Sequence, residues 1–315
     1  MKLNNRLVMP PMATHKSDGS GKINQGHIDY YVERAKGCHM GMIITEHSCV
    51  CDQGRADSKQ TSMASDECAN SFKPLLEAVH KEEVKMICQL NHAGSNTSQT
   101  ITGQPIVSAS AIQHPRKRFD EIPHALTIEE IHQMEDLFVE AAIRAKNAGY
   151  DGVEIHSAHG YLLNQFYSPL TNKRNDAYGC DTIENRTRMA CEMIQKVRKV
   201  VGKEYPILIR LGGCDYMDGG STIEDAIQAS LLLEKAGADC VDITGGMNGY
   251  IRPGHTEAGY FSDCSKAVKE VISIPVILTG GVNTMKEADS LLMEEKADLI
   301  GVGRKILVNP QWANQ

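Results

Sequence analysis

The chain has 315 residues, of which 41% are hydrophobic and 23% charged, so it carries enough apolar material for a sizeable core. Its net charge of -7 argues against nucleic acid as a partner, because phosphate binding needs a basic surface. No apolar run approaches the roughly 20 residues of a membrane span, and polar residues rather than a signal peptide follow Met1. We therefore expect a cytoplasmic protein that binds neither nucleic acid nor a membrane.

The ten cysteines do not form a metal-binding or disulfide pattern. Eight of them lie singly, and Cys49 and Cys51 form a CxC pair with no second pair at ligand spacing. Cys88 and Cys240 lie inside apolar runs that resemble strands. We therefore expect reduced thiols that pack as small core residues.

Short apolar or β-branched runs alternate with amphipathic stretches of helical period along the chain. The predicted strands are Arg6–Met9, Met42–Thr45, Met86–Leu90, Gly152–Ile155, Ile207–Leu211, Cys240–Thr244, Val276–Thr279 and Leu299–Val302. The clearest predicted helices are Ile128–Ala148, Ile183–Val201, Ala226–Ala236 and Lys286–Glu294. A capping-box spacing from Asp181 to Glu184 marks one helix start, and Gly149 and Gly237 are predicted C-caps.

This alternation predicts a parallel sheet with right-handed crossovers, and eight units fit a (β/α)8 TIM barrel, a single α/β domain spanning residues 1–315. The stretch Ser95–His124 has no clear period and is predicted to be a long excursion after strand three, of the kind that forms lids or caps. Asn309-Pro310 is predicted to open the eighth helix. Only Gln311–Gln315 follow, so that helix is expected to be truncated.

The active site of such a barrel forms at the carboxyl ends of the strands. Polar residues and glycines follow the predicted strands in turn: Pro10–Thr14, Glu46-His47, Gln89 with His92–Gly94, His156–Tyr161, Arg210, Gly245-Gly246, Gly280-Gly281 and Gly303-Arg304. They predict a large polar ligand site. The glycine turns after strands seven and eight, together with the charge of Arg304, predict that this site holds a phosphate.

Two features of the strand-four segment allow more than one interpretation. His156 and His159 have a spacing that lets imidazoles converge on a metal, but no cysteine or carboxylate accompanies them at ligand spacing, so we expect no metal there. Tyr161 is either a packing residue or a proton donor, since a phenol with pKa near 10 is protonated at neutral pH.

The order and spacing of these motifs resemble the Old Yellow Enzyme family of flavin mononucleotide (FMN) ene-reductases from residue 5 to about residue 312. The motifs that carry the resemblance are Asn5–Met12, Gln89–Gly94, Gly152–Phe166, Ser168–Arg174, Tyr178-Gly179, Glu184–Arg186 and Gly301–Arg304. The strand-four motif is the most specific of them, and the glycine turns are the least specific.

The resemblance implies a role for each candidate residue. Pro11, Met12 and Ala13 would line the flavin, Gln89 would bind its pyrimidine ring, and Arg210 would stabilise its reduced, anionic form. Gly281, Gly303 and Arg304 would hold the phosphate. His156 and His159 would polarise the substrate, and Tyr161 would protonate its α-carbon while hydride goes to the β-carbon. NADH or NADPH would reduce the FMN, and the substrate would be a small electron-poor alkene.

The chain also departs from the family pattern. Ala13 stands where the family usually has Thr or Cys, which puts the redox potential in doubt, and His47 stands where Ala or Gly is usual, so it would crowd or hydrogen-bond the flavin. The larger bacterial 2-enoate and 2,4-dienoyl-CoA reductases add an iron–sulfur cluster and a dinucleotide-binding domain after the barrel. No clustered cysteines and no GxGxxG motif follow the barrel in this sequence.

Three hypotheses are therefore carried forward. The first is an FMN ene-reductase acting on an enoate, enone or enoyl thioester. The second is a barrel lyase or isomerase that binds a phosphorylated substrate and no flavin. The third is a flavin-binding part of a larger reductase, with a C-terminal redox domain outside this sequence. The sequence leaves a homo-oligomer open.

Overall fold

The computed structural model describes residues 1–314, and in it eight short parallel strands close into a barrel. They are β1 (Leu7–Met9), β2 (Met42–Ile44), β3 (Lys85–Asn91), β4 (Gly152–Ser157), β5 (Ile207–Cys214), β6 (Cys240–Gly245), β7 (Val276–Thr279) and β8 (Leu299–Gly301). Each strand pairs in parallel with the next along the chain, and β8 pairs with β1 to complete the ring. The predicted (β/α)8 TIM barrel is thus confirmed, with all eight strands close to their predicted positions.

The helices that follow the strands are α1 (Gln25–Ala35), α2 (Lys73–His80), α3 (Ile128–Ala148), α4 (Ile183–Val201), α5 (Ile223–Ala236), α6 (Ser262–Lys269), α7 (Met285–Met293) and α8 (Arg304–Val308). Shorter helical segments are Lys36–Cys38, Asp52–Gly54, Asp66–Ser71, Gln99–Thr102, Leu162–Tyr167 and Trp312–Asn314. The predicted bounds of α3 and α4 agree with the structure. Gly149 and Gly237 end α3 and α5 with φ of 109°, a left-handed conformation that glycine adopts without steric cost.

Two predictions about helix ends were wrong. Thr182, not Asp181, caps α4: its side chain accepts a hydrogen bond from the Asn185 N–H, while Asp181 accepts one from the Asn185 side chain. Asn309-Pro310 does not open the eighth helix. That helix starts at Arg304 directly after β8, and Asn309 is its C-cap. The proline therefore lies where the helix has already stopped, a common position for a residue that cannot continue one.

The apolar residues form two layers that are separated by the strands. A large cluster fills the space between the sheet and the helices and includes Phe72, Phe138, Phe166 and Phe261. A small cluster fills the lower barrel interior and consists of Val8, Met42, Ile44, Ile87, Leu208, Cys240 and Ile277. Above it, two residues further along several strands, the inward-facing side chains become polar. The barrel therefore has an apolar base and a polar upper end.

The excursion after β3 covers part of that upper end. It contains the helix Gln99–Thr102 and the strand Val107–Ser108, which pairs in parallel with His124–Ala125. Its first part, from Ser95 to Ser98, is buried. The predicted excursion exists, although part of it has regular structure that the sequence did not reveal. No helix within residues 1–314 is both long enough and apolar enough to cross a membrane.

Candidate active site

Four charged or amide side chains form the floor of the polar end of the barrel. Gln89 on β3 donates to Glu154 Oε1 on β4 over 2.8 Å, and Arg210 Nε on β5 lies 3.1 Å from Asp242 Oδ2 on β6. All four side chains are buried. They are brought together by strand register, because Gln89 pairs with Glu154 and Arg210 pairs with Asp242. The floor is therefore rigid and is fixed by the sheet itself.

This floor is electrostatically strained. Burial, then the nearby Asp242 charge, raises the pKa of Glu154 to about 8, although Arg210 opposes the shift. Burial also raises the pKa of Asp242, and Arg210 again opposes it. Glu154 Oε2 and both Asp242 oxygens have no hydrogen-bond partner among the described residues. The terminal guanidinium nitrogens of Arg210 make no hydrogen bond with the described chain either, so they are available to a ligand.

Four aromatic rings form one wall of the site. The His156 ring lies 5.0 Å from the rings of both His159 and Tyr161, and the His47 ring lies 5.3 Å from that of Tyr161. His156 belongs to β4, while His159 and Tyr161 belong to the turn after it. His159 has φ of 58°, a left-handed conformation that is strained in a residue with a side chain. The structure therefore brings the predicted strand-four residues together.

Burial decides the charge of this wall. It lowers the pKa of His156 and of His159 well below the ordinary histidine value, so both imidazoles are neutral. A neutral ring still has one N–H to donate. His159 Nε2 lies 3.0 Å from Thr244 Oγ1, which orients that ring. Burial raises the pKa of Tyr161 above its ordinary value, and its hydroxyl makes no hydrogen bond with the described residues.

The tautomer of His47 follows from its neighbours. The Gln60 and Asn91 side-chain amides both approach its Nδ1, at 3.1 and 2.9 Å. A nitrogen that accepts from amide N–H groups carries no proton, so the proton of the neutral ring lies on Nε2. Burial lowers the pKa of His47 to about 4, which keeps the ring neutral. Whether Nε2–H contacts a flavin stays a prediction.

The segments after β1 and β8 lie against each other. A Cβ atom built on Gly303 would approach Met12 Sδ to 3.3 Å and Pro10 Cγ to 3.5 Å, so a side chain there would press on the Met12 side chain. Thr14 is held in turn by Glu46 at the end of β2, which accepts from its N–H and its hydroxyl. Pro11 and Met12 are half-buried and Ala13 is exposed. The predicted flavin-lining segment thus lies beside the predicted phosphate turn.

The predicted phosphate residues fit an anion. Gly281 has φ of 72°, and a Cβ there would lie 2.0 Å from Glu257 O, so only glycine is accommodated. The Gly281 and Gly303 N–H groups make no hydrogen bond within residues 1–314. Arg304 contacts Tyr260 through its guanidinium at 3.3 Å and has no ion pair with a described carboxylate. Unused donors and an unpaired cation are the features a phosphate needs.

Sequence reasoning missed several residues that contact the predicted site residues. Glu154, Asp242, Gln60 and Asn91 contact predicted site residues but were not predicted themselves. Side chains two apart on a strand face the same way, so Glu154 could have been found from its spacing to His156. Gln60 gives no such signal, because it reaches His47 from a loop.

One cluster of possible metal ligands lies away from the predicted site. The described residues whose ligand atoms lie within 4.8 Å of one another are His132, Glu135 and Glu192 on the outer helices α3 and α4. There the Lys196 ammonium lies 3.1 Å from Glu135 and already supplies a cation.

A cavity of about 540 Å³ lies at the opposite end of the barrel and is lined by none of the predicted site residues.

In the described chain, the fold is a closed (β/α)8 barrel whose polar end has unused hydrogen-bond donors and unpaired arginines, which suits a ligand that carries a phosphate. The chain belongs to the NADH:flavin oxidoreductase / NADH oxidase family, whose model matches residues 1–315. The resemblance to the Old Yellow Enzyme family is thereby confirmed, as is FMN as the cofactor. Family membership also decides against the flavin-free lyase or isomerase.

Individual relatives agree with this assignment. The chain is 38% identical over 316 residues to an NADH oxidase of Thermoanaerobacter brockii, covering 98% of this chain and 48% of that protein. It is 36% identical to an NADPH dehydrogenase of Halalkalibacterium halodurans, covering 99% of this chain and 90% of that one. The structure of a 2-naphthoyl-CoA reductase in complex with 2-naphthoyl-CoA matches with a TM-score of 0.92 at 26% identity, over 99% of this chain and 50% of that one. The chain thus spans about half the length of some relatives and most of the length of others.

Proposed function

We propose that the protein is an FMN-dependent reductase of electron-poor carbon–carbon double bonds, with NADH or NADPH as the source of hydride. The observation that carries the proposal is the wall made by His156, His159 and Tyr161. These are two neutral imidazoles and a protonated phenol at the end of one strand, and the ring centroids of His159 and Tyr161 each lie 5.0 Å from that of His156. This combination offers hydrogen-bond donors to an oxygen and a proton to a carbon.

The two histidines bind the electron-withdrawing group of the substrate. Because both rings are neutral, each donates one N–H to a carbonyl oxygen and withdraws electron density from the conjugated alkene. The Thr244 hydroxyl donates to His159 Nε2, which orients the ring and leaves its Nδ1–H for the substrate. An enoate, an enone and an enoyl thioester all present such an oxygen.

Tyr161 is the general acid. Its hydroxyl has no competing partner in the described chain, and burial raises its pKa, so it stays protonated throughout the neutral range. It delivers its proton to the α-carbon, and solvent reprotonates the phenolate afterwards. The neighbouring His47 ring lies 5.3 Å from the Tyr161 ring, at an interplanar angle of 32°.

The remaining predicted residues hold the cofactor. When bound, FMN would supply the hydride for the β-carbon. Pro11, Met12 and Ala13 would line it. Gln89 and Arg210 would bind its pyrimidine end, where the positive charge of Arg210 would favour the reduced form. Gly281, Gly303 and Arg304 would bind its phosphate.

A second candidate function is supported by the length comparison. The chain covers 48% of the Thermoanaerobacter NADH oxidase and 50% of the 2-naphthoyl-CoA reductase chain. Some family members therefore combine this barrel with further parts. In such a protein the barrel would carry out the alkene chemistry and another part would deliver the electrons.

Replacing Tyr161 by Phe tests the proposal. The substitution keeps the ring and removes the acid, so reduction of weakly activated enoates should fall by about 10²–10⁴-fold. FMN content and flavin reduction by NAD(P)H should persist. Nitroalkenes should be affected less, because the nitro group stabilises the carbanion until solvent protonates it. Reduction of enoates at the parent rate would show that another group is the acid.

A further inference from the structure

Three consecutive cations lie at the edge of the active site. Arg116, Lys117 and Arg118, which we call the basic rim, belong to the excursion after β3 and are all exposed. The chain as a whole carries a net charge of -7, so the positive charge of this segment is opposite in sign to that of the whole protein. Nothing in the proposed alkene chemistry uses these residues.

The rim is anchored by a buried histidine. His114 is 3% exposed, and its Nε2 lies 2.9 Å from Gly160 O in the turn after β4. Its Nδ1 accepts from the Arg116 N–H, and its carbonyl accepts from the Lys117 N–H. Burial lowers the pKa of His114 to about 4, so the ring is neutral and both nitrogens have suitable partners. The excursion is therefore attached to the segment that carries His159 and Tyr161.

The arginine side chains point toward the site. Arg116 donates to the backbone oxygen of His159 over 3.4 Å, and Arg118 donates to Asn96 Oδ1 over 3.4 Å. Asn96 in turn donates to the same His159 oxygen over 3.3 Å. The charges of Arg118 and Arg116 also reach Tyr161, where they oppose the effect of burial on its pKa. The rim therefore lies beside the entrance to the catalytic wall.

The rim has no internal counter-ion. Within residues 1–314, no carboxylate oxygen lies within the 4.0 Å ion-pair distance of Arg116, Lys117 or Arg118. Other arginines around the barrel are paired, such as Arg174 with Asp176 and Arg252 with Asp263. Guanidinium groups bind phosphate oxygens with charge-assisted hydrogen bonds, and unpaired ones are free to do so.

We propose that the basic rim is a binding subsite for the phosphates of the nicotinamide dinucleotide reductant. When the dihydronicotinamide ring occupies the site, its pyrophosphate extends toward the entrance and carries two negative charges. Arg116 and Arg118 bind those charges, and Lys117 adds to the local potential. The inference rests on the part of the proposed function that makes NADH or NADPH the reductant, and it does not depend on the identity of the alkene.

The test compares ligands with and without phosphate. In the purified holoenzyme, an Arg116→Ala/Arg118→Ala variant should bind NADP⁺ about 10-fold more weakly, which corresponds to about 1.4 kcal/mol. The apparent Kd for NADH or NADPH in anaerobic flavin reduction should rise similarly, with the limiting rate unchanged. Reduction by 1-benzyl-1,4-dihydronicotinamide, which has no phosphate, should be unaffected. Added salt should weaken NADPH binding in the parent much more than in the variant.

A matched control removes two cations elsewhere. Lys199 on α4 and Lys235 on α5 are exposed and have no ion pair within the described chain, so Lys199→Ala/Lys235→Ala makes the same change in net charge. This control should bind NADP⁺ like the parent. An unchanged NADP⁺ affinity in the rim variant would overturn the inference, as would an equal loss with the benzyl compound. If the parent bound NADP⁺ through the rim but NAD(P)H failed to reduce its flavin, the proposed reductant would be wrong and the subsite would stand.

Discussion

Arg304 is the residue whose environment most directly indicates a phosphate. Its guanidinium has no carboxylate partner in the described chain, and the two neighbouring glycines have unused N–H groups. Arg304→Ala should weaken FMN binding by about 10–100-fold, because a charge-assisted hydrogen bond contributes about 1.5–3 kcal/mol. The measurement is the FMN-to-protein ratio after gel filtration, followed by titration of the apoprotein. Arg304→Lys should retain part of the affinity. Unchanged flavin content in both variants would contradict the phosphate assignment.

Glu154 makes the stability of the protein depend on pH. Burial raises its folded-state pKa to about 8, so the folded protein holds a proton that the unfolded chain releases near the ordinary carboxyl value. Stability from this group is therefore complete at low pH and is lost as pH rises from about 5 to about 8. The Glu154→Gln variant has no carboxyl group at this position, so it should not show this loss of folding stability. We expect the parent to lose stability relative to the variant over that range in thermal or urea denaturation.

The matched variant for this prediction is Glu130→Gln. Glu130 is a partly exposed carboxylate whose pKa is lowered by hydrogen bonds from Thr127 and His124, so it gains stability as pH rises rather than losing it. Glu130→Gln should therefore not reduce the loss of folding stability that the parent shows as pH rises. Parallel stability curves for the parent and Glu154→Gln would show that Glu154 titrates normally.

The start of α3 at Ile128 was predicted from helical periodicity, and the structure shows the capping motif that fixes it. Thr127 caps α3 with a reciprocal pair: its hydroxyl accepts from the Glu130 N–H, and Glu130 accepts from the Thr127 N–H. The start of α8 was predicted wrongly, because Asn309-Pro310 is suitable both for opening a helix and for following one. Only the position of β8 distinguishes the two, since Arg304 begins its helix three residues after that strand ends.

The cap of α3 gives a prediction for a whole element. Thr127→Ala should lower the free energy of unfolding by about 1 kcal/mol, the ordinary effect of losing an N-cap. Thr127→Ser keeps the acceptor and should change stability far less. Both can be compared by denaturant titration, and FMN content should be the same in all three proteins because the cap hydrogen bonds join only Thr127 and Glu130. Equal stability of the alanine and serine variants would show that the cap contributes little.

For the whole molecule, the barrel and the residues at the carboxyl ends of its strands could be predicted from the sequence, because both follow from periodicity. Strands leave inward-facing residues at every second position, and the carboxyl ends of parallel strands meet at one end of the barrel. His156 and Arg210 were placed correctly by this rule. The pairing of Arg210 with Asp242 depends on register between strands, and the contact of Gln60 with His47 depends on a loop conformation. Neither appears in the pattern of one segment.

The position of the excursion was also beyond the sequence. Its length predicted a lid, but the contact between His114 and Gly160 joins residues 46 positions apart. A long polar segment has many conformations of similar energy, and long-range contacts of this kind select one of them. The position of the basic rim near Tyr161 could therefore not be inferred from the sequence.

The central claim is that this barrel transfers hydride from NAD(P)H to an activated alkene through FMN. The most direct measurement is an anaerobic two-stage titration of the purified protein. NADH or NADPH is added until the flavin absorbance is bleached, and enoates, enones and enoyl thioesters are then added separately without oxygen. We expect at least one class to restore the oxidised flavin spectrum, with one saturated product formed per flavin. A flavin that NAD(P)H reduces and only oxygen reoxidises would contradict the claim.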